Sequence, residues 1–252
     1  MRLGTSIVLM LSLLFLVSSC GGGNLKLFDK PLNRGAKLNL SHSHLTAVPE
    51  YIFKQNELKV LNLHHNKITE IPNEIGNLTN LEKLIISRND ITSIPPEIGK
   101  LKKLKYLSIK ANKITELPPE IGELENLEVL RLSFNELTEL PPEICKLKKL
   151  SHVYLEYNQL ESLPDNLGNM TGLIQLNIGR NQLDSLPTSF YNLTQINTLD
   201  LSYSGPTLMV TDAICQMRNL ETLYIDGATL QFLPRCIQIR ARANFRFTIV
   251  IR

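Results

Sequence analysis

The chain has 252 residues, and its 27 basic side chains nearly balance its 24 acidic ones. This balance points away from a nucleic-acid-binding protein and from a polybasic membrane-surface protein, because both carry a clear excess of Lys and Arg. The length fits one or two globular domains, but a chain built of stacked repeats grows along a line and escapes that limit.

The N-terminus carries the pattern of a processing signal. Arg2 precedes an apolar run from Ile7 to Val17, which is too short to span a bilayer but fits the core of a signal peptide. The following Ser-Ser-Cys, which ends at Cys20 and leads into three glycines, resembles the bacterial lipobox. In a lipobox the cysteine becomes the lipid-modified first residue of the mature protein. We therefore expect a lipoprotein signal peptide over residues 1–19 and lipidation at Cys20, with an ordinary secretory peptide as the alternative.

One 23-residue unit runs six times through residues 58–195 with no insertion or deletion. The copy Leu127–Lys149 reads LEVLRLSFNELTELPPEICKLKK, and positions are numbered from its first leucine. Leu130 and Leu132, at positions 4 and 6, alternate with exposed positions, which is the period of a strand with one buried face. The prolines at positions 15 and 16 favour the start of a short helix on the far side of the coil.

The pattern L-x-x-L-x-L-x-x-N-x-[LI]-x-x-[LI]-P resembles the leucine-rich repeat family, in the 23-residue subtype whose second half reads LPPEIGxL. The resemblance implies an α/β leucine-rich repeat solenoid, a curved horseshoe. Its parallel sheet would line the concave face, and short helical or 3-10 segments would line the convex face. Imperfect copies from Gly35, Ile196 and Leu220 extend the array to nine repeats over residues 35–242. Residues 20–34 are interpreted as a lipid-anchor tether and N-terminal cap, too short for a domain.

The end of the chain alternates apolar and polar residues from Phe245 to Arg252. This alternation predicts one more strand closing the sheet, so that residues 243–252 form a C-terminal cap. Arg246 and Arg252 are expected to help blunt the exposed edge of that strand.

Position 9 of the six regular units is always asparagine. An asparagine side chain can donate and accept hydrogen bonds in a turn, where backbone groups leave the sheet and still need partners. Stacked one coil apart, these side chains should form a ladder of internal hydrogen bonds. The ladder comprises Asn66, Asn89, Asn112, Asn135, Asn158 and Asn181.

The remaining cysteines differ in their expected roles. Cys215 and Cys236 lie on the same side of adjacent terminal coils, where a disulfide is permitted outside the cytosol. Two free thiols are the equal alternative, because sequence spacing does not set the geometry between Cβ atoms. Cys145 stands where other units have glycine, so we expect a small buried side chain.

The sequence offers few candidates for a catalytic or metal-binding site. There is no Ser/His/Asp or Cys/His constellation and no phosphate-binding loop. Four of the five histidines, His42, His44, His64 and His65, fall within 24 residues. Zinc requires three or four converging ligands, and solvated turn histidines are the preferred interpretation. We therefore expect no catalysis, no cofactor and no metal.

Side chains at positions 3, 5, 7 and 8 project from the solvent-facing, concave side of the sheet, which we call the open face. Aromatic residues and Arg are enriched there, and these residue types supply most of the binding energy at protein interfaces. The alternative is that exposed strand positions select Tyr for its β-propensity alone. The candidate binding residues are Tyr106, Arg131, Phe134, His152, Tyr154, Glu156, Tyr157, Arg180, Tyr203 and Tyr224.

The family resemblance implies a binding scaffold, and the lipobox implies attachment to a bacterial cell envelope. We expect a lipid-anchored protein that binds a protein partner through its open face, with a membrane as its second contact and no nucleic acid. A structural envelope lipoprotein without a discrete ligand and a glycan- or peptide-binding module are the alternatives. Leucine-rich ubiquitin ligases have similar repeats but require a further catalytic domain.

Overall fold

The computed structural model describes residues 36–205, 208–243 and 246–252. The predicted signal peptide, the predicted lipidation site Cys20 and the predicted tether lie outside the described residues. The described residues belong to a single structural unit, Asn33–Arg252. Among them, no helix combines the length and the apolar character needed to cross a bilayer.

Short parallel strands follow one another in a single sheet, and each strand pairs with its neighbours in sequence. Three residues per strand suffice, because each coil must turn away to place its apolar side chains behind the sheet. The strands are β1 (Lys37–Asn39), β2 (Val60–Asn62), β3 (Lys83–Ile85), β4 (Tyr106–Ser108), β5 (Val129–Arg131), β6 (His152–Tyr154), β7 (Gln175–Asn177), β8 (Thr198–Asp200), β9 (Thr222–Ile225) and β10 (Thr248–Ile251).

The register of the sheet follows the sequence period. From β1 to β8, paired Cα atoms lie 23 residues apart, as in Lys37 with Val60. Between β8 and β9 the offset becomes 24 residues, as in Thr198 with Thr222. The additional residue lies in the connection between β8 and β9, and the strands keep their alignment.

The convex side consists of 3-10 helices, most of which begin directly after a proline in an extended conformation. Proline suits this junction because its fixed φ and missing N–H cost nothing at a helix start. These helices span Glu50–Lys54, Asn73–Asn77, Pro96–Lys100, Pro119–Glu123, Pro142–Lys146, Leu167–Asn169, Thr188–Asn192 and Asp212–Gln216. The last coil differs and carries two α-helices, α1 (Gly227–Gln231) and α2 (Arg235–Ala243).

One continuous apolar core runs between the sheet and the convex side. In the unit Leu127–Lys149, the leucines and isoleucine at positions 1, 4, 6, 11, 14, 18 and 21 are all buried. Each such side chain contributes about 1.5–3 kcal/mol when it is fully buried. A single coil cannot enclose these side chains, so stability depends on contact with the neighbouring coils.

Position 19 lies close to the next coil and favours a residue without a side chain. A Cβ atom on Gly99 would lie 2.8 Å from the carbonyl oxygen of Glu120. Cys145 occupies the same position and is buried. The 3-10 helix of the coil that follows it is shortened to Leu167–Asn169, whereas its neighbours have five residues.

The C-terminal segment differs from the sequence expectation in extent. Helix α2 continues to Ala243, and β10 covers only Thr248–Ile251 because β9, its single partner, offers four residues for pairing. Phe245 lies outside the described residues. The guanidinium of Arg252, which is expected to help blunt the sheet edge, also pairs with the carboxylate of Asp200.

Candidate functional site

The asparagines at position 9 point into the stack and bond to the backbone of two coils. The Oδ1 atom of Asn135 accepts a hydrogen bond from the N–H of Ile114 at 3.2 Å. Its Nδ2 atom donates to the carbonyl oxygens of Ile109 at 3.1 Å and Leu132 at 2.8 Å. The same three contacts recur at Asn89, Asn112, Asn158 and Asn181, and Asn66 accepts from two backbone N–H groups.

The backbone reverses direction at position 8 so that the asparagine can point inward. Position 8 adopts a left-handed conformation in the first eight units, with φ between 55° and 59°. Within the described ranges, the one other non-glycine residue with such a φ is His44. Glycine fits this conformation without steric cost, and asparagine and histidine tolerate it better than bulky residues do. Position 8 nevertheless carries Phe, Tyr and Arg in the later coils.

Four consecutive position-8 side chains, Phe134, Tyr157, Arg180 and Tyr203, form what we call the stripe. The rings of Phe134 and Tyr157 stack with centroids 4.1 Å apart and an interplanar angle of 13°. The Cζ atom of Arg180 lies 5.0 Å from the ring centroid of Tyr157 and 4.6 Å from that of Tyr203. The three aromatic residues are 43–45% exposed, so part of each ring remains in contact with solvent although its neighbours in the stripe cover it in part.

A second, shorter row runs along positions 3 and 5. The Cζ atom of Arg131 lies 4.6 Å from the ring centroid of Tyr154 and 5.9 Å from that of Tyr106. The Nζ atom of Lys83 also lies over the Tyr106 ring, 4.4 Å from its centroid. Cations near aromatic faces are held by the ring quadrupole, so these long side chains are partly ordered before any partner arrives.

Polar side chains occupy the floor between the two rows. The Glu156 carboxylate accepts hydrogen bonds from the Ser133 hydroxyl at 2.5 Å and from the Asn177 amide at 2.9 Å. His152 lies on β6, and its Nδ1 atom is 2.8 Å from the hydroxyl of Ser151. The structure therefore brings Glu156 beside the stripe, whereas His152 is engaged at the start of its strand.

Tyr224, the last candidate, is placed differently from the others. The guanidinium of Arg252 covers its ring, with Cζ 4.1 Å from the centroid. The same guanidinium pairs with Asp200. Tyr224 is thus part of an internal contact at the C-terminal end of the open face rather than a free aromatic anchor.

The histidines gather at the opposite end of the open face. The rings of His42 and His65 lie 4.4 Å apart, and that of His64 lies 5.7 Å and 6.0 Å from them. Partial burial, followed by the nearby charges of Arg88 and the two other imidazoles, lowers the pKa of His64 below its usual value. Across the part of the chain that the structure describes, no group of three His, Cys, Asp or Glu side chains is arranged to hold a metal ion.

The cysteines in the described residues fall into two kinds. Cys215, in the 3-10 helix Asp212–Gln216, and Cys236, in α2, form a disulfide with Cα atoms 6.1 Å apart. The bond fastens the helical side of the last coil to the preceding coil. Cys145 is a buried free thiol, and burial raises its pKa to about 11. It therefore stays protonated and shielded at neutral pH.

Two family descriptions match the sequence. Residues 36–91 match one described as leucine rich repeat, and residues 96–181 match one described as leucine-rich repeat region. The chain carries leucine-rich repeats. Proteins built of these repeats generally serve as binding scaffolds for other proteins rather than as catalysts.

Solved leucine-rich repeat structures share this fold. A leucine-rich repeat protein of Leptospira interrogans is 29% identical with a TM-score of 0.71, and the match covers 83% of this chain and 52% of that one. An internalin of Listeria monocytogenes is 23% identical with a TM-score of 0.66, covering 86% of this chain and 56% of that one. The internalin C2 of the same organism is 24% identical with a TM-score of 0.67, covering 75% and 80%.

These likenesses have limits that matter for function. The internalins are less than 25% identical to this chain, so they support the fold alone. The chain spans about half the length of the Leptospira protein and of the first internalin. Among curated proteins, none matches the sequence.

Several residues on the open face of these leucine-rich repeats were not predicted from the sequence. Lys83 and Lys110 are missed because a lysine on a strand usually signals only solvent exposure, yet both lie over aromatic rings. Asp200 is missed although position 5 on the open face was a usable signal. Its carboxylate pairs with Arg252, which lies 52 residues later.

Proposed function

We propose that this protein is a lipid-anchored scaffold of a bacterial cell envelope that binds a protein partner through its open face. The observation that carries the proposal is the stripe. Its side chains are exposed and stacked, and they occupy left-handed backbone positions that glycine or asparagine would fill with less strain. Their mutual contacts join neighbouring coils, but the left-handed turn itself requires neither Phe, Tyr nor Arg, so we attribute the choice of these residues to binding.

The geometry of the stripe suits an interface anchor. Aromatic residues and Arg dominate the energetics of protein interfaces, and Phe134 and Tyr157 are already stacked in the free protein. Ordering a long side chain on binding usually costs about 0.5–1.5 kcal/mol. Much of this cost is avoided for Arg180, because its guanidinium already lies between two tyrosine rings.

The placement in the envelope rests on two supports. The first is the lipobox-like segment ending at Cys20, which the structure does not describe. The second is the disulfide between Cys215 and Cys236, since disulfides persist in oxidising compartments outside the cytosol. Stable membrane attachment takes more than one acyl chain, and lipobox processing supplies at least two.

The anchor is tested by expressing the Cys20→Ala variant of the full chain in a bacterial host and separating membrane from soluble fractions. We expect the variant to leave the membrane fraction or to remain as unprocessed precursor, while the parent chain is recovered with a lipid-modified cysteine. An unmodified mature N-terminus at a residue other than Cys20, seen by mass spectrometry, would remove the anchor from the proposal.

Binding is tested by pull-down with the full chain from envelope and cell-surface extracts, followed by affinity measurements on the purified partner. Phe134→Ala and Tyr157→Ala should each weaken binding at least about tenfold, since truncating a central anchor usually costs 2 kcal/mol or more. The matched control is Lys103→Ala on the convex side, where the Lys103 amine contacts the exposed Asn80 amide. If Lys103→Ala abolishes binding while both stripe variants bind normally, the open face is not the binding surface.

A further inference from the structure

A buried carboxylate lies at the C-terminal end of the open face, next to the stripe. Asp200 occupies position 5 of β8, which faces solvent in most coils, yet its side chain is only 1% exposed. The N–H and the hydroxyl of Ser202 both donate to its Oδ1 atom, at 3.0 Å and 2.5 Å. These two donors hold the carboxylate in one orientation and leave the Oδ2 atom for another partner.

That partner is the guanidinium of Arg252. Its Nη1 atom lies 2.5 Å from Oδ2 of Asp200, and its Cζ atom lies 4.1 Å from the ring centroid of Tyr224. The backbone carbonyl of Arg252 accepts a hydrogen bond from the hydroxyl of Tyr203 at 2.8 Å. An oriented carboxylate beside an aromatic face is the arrangement that selects a planar guanidinium over an ammonium. We call this arrangement of Asp200, Ser202 and Tyr224 the recess.

The segment that fills the recess lies at the exposed edge of the sheet. Among the described strands, β10 pairs with β9 alone, and Ile251 is 58% exposed. The Arg252 side chain is itself 47% exposed, whereas the Asp200 side chain beneath it is almost fully buried. Segments with few buried contacts open locally at low free-energy cost, so the end of β10 is the part of this contact that can leave.

We propose that the recess is a binding site for an arginine side chain of the protein partner, and that Arg252 is the chain's own occupant, displaced on binding. The inference rests on the proposed function, since it assigns part of the partner's chemistry. The stripe supports it, because Tyr203 belongs to the stripe and also holds the carbonyl of Arg252. A partner that covers the stripe therefore reaches the hydrogen bond that keeps Arg252 in place.

An occupant supplied by the same chain competes at a high effective concentration, so an added arginine ligand binds weakly while Arg252 is present. The probe is the fluorescently labelled peptide Gly-Arg-Gly, blocked at both ends, with the full chain. A matched peptide carries citrulline, which keeps the shape of arginine but has no charge. We expect Arg252→Ala to bind the arginine peptide at least about tenfold more tightly than the parent chain does, and the citrulline peptide no better.

Adding Asp200→Asn to Arg252→Ala should abolish the gain, because the peptide then has no carboxylate to pair with. Equal binding of the arginine peptide by the parent chain and Arg252→Ala would overturn the proposal. Equal binding of the arginine and citrulline peptides by the variant would also overturn it. Lys103→Ala on the convex side should leave peptide binding unchanged, and the peptide does not require the stripe, so a failed stripe and a failed recess are told apart.

Removing Arg252 leaves a buried carboxylate without its cation, and this could loosen the last coil. Arg252→Gln is the second variant, since it keeps a hydrogen-bond donor without the charge. A direct measurement on the parent chain completes the test. Excess arginine peptide should speed hydrogen exchange of the Arg252 amide, which donates to the Ile225 carbonyl at 2.9 Å, whereas the citrulline peptide should not. An exchange rate unaffected by the arginine peptide would show that Arg252 is not displaced.

Discussion

Positions 8 and 9 of each repeat are neighbours in the chain, but their side chains lie on opposite sides of the backbone. At position 9, asparagine recurs through the regular coils, and its amide is consumed by backbone hydrogen bonds. At position 8, the residue varies from coil to coil, and in the later coils it presents an aromatic ring or a guanidinium to solvent. The left-handed turn at position 8 is what allows position 9 to point inward.

The same turn therefore holds two roles apart: position 9 stabilises the fold, and position 8 is available for binding. The identity of the position-9 residue is dictated by buried donors and acceptors that must be paired. Position 8 is constrained only in its backbone, so its side chain is free to change at a modest conformational cost.

The asparagine ladder ends before the last two coils. Ser204 replaces asparagine and donates one hydrogen bond, to the Ile178 carbonyl, and the disulfide between Cys215 and Cys236 holds these coils instead. The double variant Cys215→Ser, Cys236→Ser should lose about 2–4 kcal/mol from the terminal coils, because the cross-link no longer restricts their unfolded state. Urea unfolding with and without reductant measures this loss. If reductant leaves the parent chain's midpoint unchanged, the disulfide does not replace the ladder.

Within the regular coils, Asn112→Ala should lower the free energy of unfolding by about 1–3 kcal/mol, because its buried backbone partners lose their hydrogen bonds. Lys113 follows it directly and makes an exposed ion pair with Asp90. Lys113→Ala should stay within about 0.5 kcal/mol, since exposed pairs contribute little. Equal urea midpoints for the two variants would contradict the assignment of position 9 to stability.

The opposite result is expected one position earlier. Tyr157→Gly removes a bulky side chain from a residue with φ of 58°. Glycine relieves the left-handed strain, which offsets the lost contacts of the ring with Phe134 and Arg180, so the free energy of unfolding should stay within about 1 kcal/mol. Affinity for the protein partner should fall at the same time. A loss of stability as large as that of Asn112→Ala would show that Tyr157 is a structural residue.

The smallest effect is expected at His64, at the histidine end of the open face. The unfolded chain binds a proton at His64 more readily than the folded chain does. Since the pKa of His64 is lowered in the folded state, its contribution to stability is complete above the unfolded value, about 6.5. That contribution is lost as the pH falls through 6.5 toward the lower folded value. His64→Gln should therefore flatten the decline of stability between about pH 7 and pH 5. Parallel curves for variant and parent would exclude this role.

Much of the fold follows from the 23-residue period, because a repeated spacing of leucines and one asparagine specifies both the strand and the turn. The strand register and the inward direction of Asn135 are readable in this way. The two α-helices of the last coil are not, although Asp226 gave a usable signal. Its carboxylate accepts hydrogen bonds from two N–H groups at the start of α1, which is the role of a helix N-cap.

The open face is less predictable than the core, for a physical reason. Alternation places Phe134 and Tyr157 on the exposed side, but their left-handed backbone is imposed by the turn and not by their own preferences. The pairing of Asp200 with Arg252 depends on where β10 joins the sheet. No local pattern around either residue records that contact.

The constant offset of 23 residues between paired strands from β1 to β8 has a consequence for how such a molecule can change over generations. Because each interior coil meets only the coil before it and the coil after it, duplicating or losing one whole coil preserves every type of junction. Reach and chemistry can then evolve separately. Each added copy lengthens the open face by one strand spacing of about 4.8 Å. Its outward residues are free to diverge while the inherited interior already fits.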